Sequence, residues 1–366
     1  MIRSMYLFRV LTVHLIFWLG GFSLLIGSDL DQAHQPNSEG NSRVGMVKKS
    51  GTLSVAKRKV INFSLGDKKG QLGFLTSWLP DQNDDLTEVV EGPAAMALDE
   101  AGKIYFLDSI REQIQIFNPD GEFIDAKPLP RMGEEFEHAY TDLEVNKGYF
   151  LILDTQNYVM AKMATSGRGL VEFLKIPETV AESIPFIVDE FSINPQGDII
   201  TQNRYDGSIY QLIHPSGKSL SYGIIEVVLT PPFRAFLGVD SQNRVIGQEF
   251  NQQNPSIIDL FRWKTGDSSP EKLFSLPPNP NLFMVDTIGV MEGDPVVAVF
   301  TGGEERVRLS EVLRYGVDGT LKSKVKMSAR ELPWNMNQRY HVHNNHVLVC
   351  EYRNFGKRLR VIRYTL

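Results

Sequence analysis

Apolar residues alternate with polar ones in short runs over most of the chain, the period-two pattern of half-buried strands, and Gly-, Asn-, Asp- and Pro-containing turns separate the runs. Residues 94–125, AAMALDEAGKIYFLDSIREQIQIFNPDGEFID, read as strand, Asp-Glu-Ala-Gly turn, strand, polar loop, strand, Asn-Pro-Asp-Gly turn and strand, a four-stranded antiparallel meander. The same order returns as DLEVNKGYFLILDT with MAKMATSG, EFSINPQGDIITQN with IYQLIHPSG, FLGVDSQNRVIGQE with IDLFRWKTG, and IGVMEGDPVVAVFT with VLRYGVDG. The turns between third and fourth strands end at Gly121, Gly167, Gly217, Gly266 and Gly319, a period of about fifty residues that points to a propeller. Pro130, Pro177, Pro231, Pro277 and Pro333 fall between units, where a residue without an N–H costs no ladder bond.

A sixth unit, YHVHNNHVLVCEY followed by KRLRVIRYTL, ends at Leu366 one strand short. Upstream of the first full unit, Ile61, Phe63 and Leu65 alternate with Asn62 and Ser64 in VINFSL, a strand pattern with no hairpin partner nearby. If this strand completes the last sheet, six four-stranded blades close a ring and leave no exposed edge. The expected fold is therefore an all-β six-bladed β-propeller over 59–366, closed by its N-terminal strand.

The first unit, GPAAMALDEAGKIYFLDSIREQIQIFNPDGEF (Gly92–Phe123), resembles the repeat of the NHL-repeat six-bladed propellers, and the second keeps Asp154 and Gly167 of that pattern. The later units keep only its hydrophobic spacing and turns. The resemblance implies fold more than activity, since this architecture carries enzymes, receptors and scaffolds. Among relatives and fold neighbours it points to amidating lyases, with zinc held by histidines, and to lactonases, with a divalent ion held in the central funnel. No ligand set contributed one per blade is recognisable in this chain.

Ahead of the repeats, residues 1–28 carry Arg3, Arg9 and no acid, with an apolar run from Val10 to Ile26. This is the pattern of a secretory signal peptide or, uncleaved, of an N-terminal transmembrane anchor. Either places the rest of the chain outside the cytoplasm, in the periplasm, secreted or tethered to the membrane. No cysteine follows the run to take a lipid. Residues 29–58, polar and Gly/Ser-containing, are expected to be a flexible linker.

Charge and composition narrow the function. The chain has 38 Lys+Arg against 44 Asp+Glu, a net charge of −6, which gives no general attraction to nucleic acid. A single cysteine, Cys350, excludes intrachain disulfides and cysteine-based metal centres. No nucleophile elbow and no phosphate-binding Gly loop is present, and no cofactor is expected. His341 and His343, one residue apart on a strand, project from one face and are candidate zinc or copper ligands, with His346 beyond an Asn–Asn turn.

The loops between second and third strands should share one rim, and they hold eight acids and five bases. Asp108 and Asp154 end equivalent strands, where Asp commonly caps its own loop. Together with Arg111, Tyr158, Arg204, Tyr205, Glu249, Arg306 and Arg353 they form the candidate ligand-binding set, because Arg and aromatic side chains dominate contact energetics. The expectation is a monomeric, exported, non-catalytic module binding a protein, peptide or glycan through this face. The alternative is a metal-dependent hydrolase or lyase working in the funnel.

Overall fold

The protein is described by a computed structural model covering residues 58–366, apart from 81–85, 182–183, 189–190, 194–196, 204, 206–207, 214–222, 230–234, 241, 243, 252–253, 255–256, 265–268, 277–281, 304–305, 330–339 and 354–357. At some strand positions, Arg306 and Arg353 among them, only the backbone is described. The leader and the linker up to residue 57 lie outside the described residues, as do Gly217, Gly266, Pro231, Pro277 and Pro333.

Six four-stranded antiparallel sheets form the six blades of a β-propeller. Blade 1 runs Ala95–Leu98, Ile104–Asp108, Gln113–Phe117 and Phe123–Pro128; blade 2 runs Tyr140–Asn146, Tyr149–Asp154, Val159–Ala164 and Glu172–Lys175. Blade 3 runs Phe191–Ile193, Ile199–Gln202, Ile209–Ile213 and Gly223–Leu229; blade 4 runs Ala235–Val239, Arg244–Phe250, Ile258–Lys264 and Glu271–Ser275. Blade 5 comprises Leu282–Met291, Asp294–Gly303, Arg306–Tyr315 and Leu321–Ala329. Its second strand runs through Gly303 and its third begins at Arg306, paired with each other, so strand extends into the TGGEE stretch expected as loop. The first strands of consecutive blades touch all the way round, blade 6 meeting blade 1.

Blade 6 takes Tyr340–His343, His346–Arg353 and Arg358–Thr365 from the C-terminus and Arg58–Ser64 from the N-terminus. The terminal strands pair antiparallel, Ile61 opposite Val361 and Phe63 opposite Leu359. Ile61 and Phe63 are buried while Asn62 and Ser64 are exposed, as the alternation requires. Their faces continue into a core holding Leu348, Cys350, Leu359 and Val361 of blade 6 and Met96, Ile104, Phe106 and Phe117 of blade 1. The Phe63 ring meets Phe106 and Phe117 edge-on, at centroid distances of 4.9 and 4.8 Å. Gly121, at φ 89°, closes the blade 1 turn directly over this strand, and a Cβ there would overlap Ile61. Beside it, the Lys59 ammonium pairs with the Asp120 carboxylate.

Packing between blades explains why the second strands read as unbroken apolar runs. In YFLILD, Phe150 and Ile152 pack on blade 1, whereas Leu151 and Leu153 pack on blade 3. Both faces of a middle strand are therefore core, the condition under which alternation gives way to a continuous run. Comparable clusters lie between blades 3 and 4, 4 and 5, and 5 and 6.

Two further hairpins interrupt the repeat. Leu75–Pro80 pairs with Leu86–Glu91 between the closing strand and blade 1, and Thr179–Ala181 pairs with Ile184–Pro185 between blades 2 and 3. Neither joins another sheet among the described residues.

Because Phe63 joins two blades, Phe63→Ala should lower unfolding free energy by about 3–5 kcal/mol, the usual cost of emptying a buried aromatic site, in denaturant titration. Deleting residues 59–66 should give an aggregated or unfolded product; a deletion variant as soluble and heat-resistant as the parent contradicts the closure.

Candidate functional site

The rim carrying the loops between second and third strands is built on a repeated side chain. Each of the first four blades places an Asp or Asn just at or past the end of its second strand: Asp108, Asp154, Asn203 and Asn251. Each accepts a hydrogen bond from a main-chain N–H two or three residues on, which turns the loop: Arg111 to Asp108 at 3.1 Å, Gln156 to Asp154 at 3.1 Å, Tyr205 to Asn203 at 3.1 Å and Asn254 to Asn251 at 3.0 Å.

In blades 1–3 the same side chain also clamps the segment entering the blade. Asp108 Oδ2 accepts from Gly73 N at 2.8 Å, Asp154 Oδ1 from Ala139 N at 3.1 Å and Asn203 Oδ1 from Ile187 N at 3.0 Å. Gly73 approaches so closely that a Cβ would lie 2.6 Å from Asp108 Oδ1. Asp108 Oδ2 accepts in addition from Gln115 Nε2 at 2.7 Å. Burial pushes the Asp108 carboxyl above its ordinary range, and these donors together with the Arg111 charge oppose the shift. The sequence marked Asp108 and Asp154; the structure extends their position to Asn203 and Asn251, residues whose spacing matches the repeat but whose amides hid the pattern.

Residues immediately before the clamped N–H are Leu72, His138 and Phe186. Leu72 and Phe186 are buried apolar groups, but His138 is polar, and it answers Asp154: Nδ1 lies 2.6 Å from Oδ2. Its ring stacks on Tyr140, 5.2 Å between centroids and 5° between planes. Asn157 Nδ2 completes the group, donating to Asp154 Oδ2 at 2.8 Å and to the Glu137 carbonyl at 2.7 Å. No periodic signal in the sequence pointed to His138.

The other candidate residues divide by role. Arg111 donates to the carbonyls of Lys68, Gln71 and Asp67 at 2.9, 2.7 and 3.2 Å, tying the turn after the closing strand to blade 1. Tyr158 ends its loop at φ 51°, and Glu112 occupies the equivalent place in blade 1 at φ 54°. Tyr158 and Tyr205 are exposed on the rim. Glu249, half-buried in blade 4, stands opposite Asp259. Arg306 begins the third strand of blade 5 and Arg353 ends the second strand of blade 6, while Arg204 lies outside the described residues. The rim thus brings Asp108 next to Arg111 and Asp154 next to Tyr158, each pair within its own loop.

His341 and His343 share one face of the first strand of blade 6, with ring centroids 6.4 Å apart. His341 stands opposite Leu348, on the side packed against blade 1, and His343 opposite His346 across a turn in which Asn344 has φ 51°. Among the described residues no group of three His, Cys, Asp or Glu is placed to hold a metal ion. Desolvation, with a smaller contribution from His343, lowers the His341 pKa to about 4.

Two outcomes follow. Asp108 accepts on both oxygens, from Gly73 N and Gln115 Nε2 at Oδ2 and from Arg111 N at Oδ1, so Asp108→Asn turns an amide N–H toward a donor and should cost about 1 kcal/mol or more. Asp108→Ala strands the Gly73 and Arg111 N–H groups and should cost at least about 2 kcal/mol in denaturant titration. For His341, the unfolded chain takes up its proton near pH 6.5 and the folded protein only near 4. Stability should therefore fall as pH drops through that window, and the melting temperature of His341→Leu should fall less over the same range.

No family model matches the sequence, and no curated protein matches it. Solved structures resemble it in fold. A luciferin-regenerating enzyme shares 12% identity over 75% of this chain and 91% of its own, with a TM-score of 0.46. Virginiamycin B lyase from Staphylococcus aureus shares 12% over 81% of this chain and 100% of its own, at 0.45. A Bacteroides fragilis protein described as exported shares 11% over 80% of this chain and 95% of its own, at 0.48. At such identities no residue role passes from these proteins to this one.

Proposed function

We propose that the protein is an exported, non-catalytic binding module that takes hold of a protein or peptide through the rim of blades 1–3. The observation that carries this reading is the arrangement of exposed apolar groups there. Phe74, Leu75, Phe136, Tyr158 and Tyr205, between 36% and 62% exposed, all sit in the loops or entering segments of that rim. The polar groups around them, Asp108, Arg111, Asp154 and Asn203, are engaged by the fold's own donors and acceptors. Beside these engaged groups the rim offers a partner aromatic and apolar surface on a rigid frame, the composition of contact hot spots.

The left-handed conformation of Tyr158, φ 51°, is shared by Glu112 at the equivalent position of blade 1, φ 54°, and so belongs to the loop's own turn; what Tyr158 offers a partner is its exposed side chain. Export rests on Arg3, Arg9 and the apolar run that follows them. The closing strand begins at Arg58 opposite Tyr364, near the end of its partner, so the chain enters the propeller at the rim away from these loops.

A photo-crosslinking residue in place of Tyr205 should give adducts of defined mass in cells that make the protein, and one in place of Tyr149, on the opposite rim, should not. Tyr158→Gly should reduce the adducts while leaving the melting temperature within a few degrees of the parent. Absence of adducts from the loop rim, or bound divalent metal with a turnover lost in His341→Ala, would contradict the reading.

A further inference from the structure

The connection between blades 1 and 2 is held at both of its feet. At one foot, Leu129 N donates to the Glu112 carbonyl at 2.9 Å, the Tyr140 hydroxyl donates to the Pro130 carbonyl, and Arg131 pairs with Glu112. At the other, Asn157 holds the Glu137 carbonyl, Asp154 holds His138 and Ala139 N, and the His138 ring lies flat on Tyr140. Between the feet, Met132–Glu137 forms a crown in neither helix nor strand. Its sequence, MGEEFE, presents an exposed Phe136 among three acidic side chains, Glu134, Glu135 and Glu137.

Phe74 and Leu75 emerge from the clamp at Gly73 and are exposed. Arg111, the nearest cation in the blade 1 loop, has its guanidinium turned onto three main-chain carbonyls. Arg131 is neutralised by Glu112. An exposed apolar anchor beside three exposed carboxylates that pair with no cation among the described residues, on a loop held at both feet, is complementary to one kind of partner.

We infer that the Met132–Glu137 crown recognises a cationic segment of a partner polypeptide, Lys or Arg side chains meeting Glu134, Glu135 and Glu137 while an apolar residue covers Phe136. This rests on the loop-rim reading above and specifies the partner's chemistry. It also explains the His138–Asp154–Asn157 group, whose members are positioning residues that fix the crown.

The test is selection of a displayed library of random dodecapeptides on the full-length protein. Lys- and Arg-containing sequences with an apolar residue should be enriched. The selected peptides should bind the E134Q/E135Q/E137Q variant at least tenfold more weakly, bind Phe136→Ala at least tenfold more weakly, and lose affinity between 50 and 500 mM salt, as screening of exposed charge requires. Both variants change side chains of the crown alone, and equal melting temperatures would show that both fold. Neutral or acidic binders, or peptides indifferent to the crown variants, overturn the inference. If such peptides instead depend on Tyr158 and Tyr205, the loop-rim reading survives without it; no enrichment at all overturns both.

Discussion

The ring depends on a seam made from the two ends of the chain. Arg58–Ser64 serves as the outer strand of blade 6, so its hydrogen bonds complete a sheet whose other strands lie almost three hundred residues later. Its buried side chains also face blade 1, where Phe63 sits edge-on to Phe106 and Phe117. One short strand therefore satisfies a sheet edge and fills an interblade core. Contacts between the other neighbouring blades join strands about fifty residues apart, so the seam closes by far the longest loop and is where loop-closure entropy weighs most on folding.

On that frame the rim of the first four blades is ordered by one repeated device: an Asp or Asn at the end of the second strand turns the loop and, in blades 1–3, clips the segment that enters the blade. Asp108, Asp154 and Asn203 all hold the entering N–H on a side-chain oxygen, Asp108 dividing its donors between both oxygens and Asp154 and Asn203 using Oδ1 for the entering segment and the loop alike. Blade 2 elaborates the clip with His138 and Asn157, and the connection it fixes is the one that displays Phe136. Structure and proposed contact thus meet at the same residues, the clips holding still what a partner would touch.

The architecture was largely legible in the sequence because each unit carries its own punctuation. Gly121, Gly167 and Gly319 lie at φ 89°, 69° and 79°, where a side chain would be strained, and so the turns could be counted. The unpaired VINFSL strand was legible from alternation, although pairing already begins at Arg58, inside the stretch expected to be linker. What escaped had no repeat partner: the hairpin Leu75–Glu91 and its small counterpart between blades 2 and 3 are insertions without a second copy. At the rim, Asp108 and Asp154 stood out as acids, but Arg111 points inward to carbonyls at 2.9 and 2.7 Å, a fate that loop composition cannot reveal. His138 went unnoticed because it replaces apolar Leu72 and Phe186 at a position the hydrophobic pattern alone defines.

The seam is tested most directly by a disulfide across it. Asn62 and Arg360 stand opposite each other, so the Asn62→Cys/Arg360→Cys protein should form an intramolecular bond on oxidation and melt at a higher temperature than its reduced form. Pairing Asn62→Cys with Arg358→Cys, two positions out of register, should form it poorly. Failure of the first pair to bridge, or equal bridging by both, would contradict closure of the ring by the N-terminal strand.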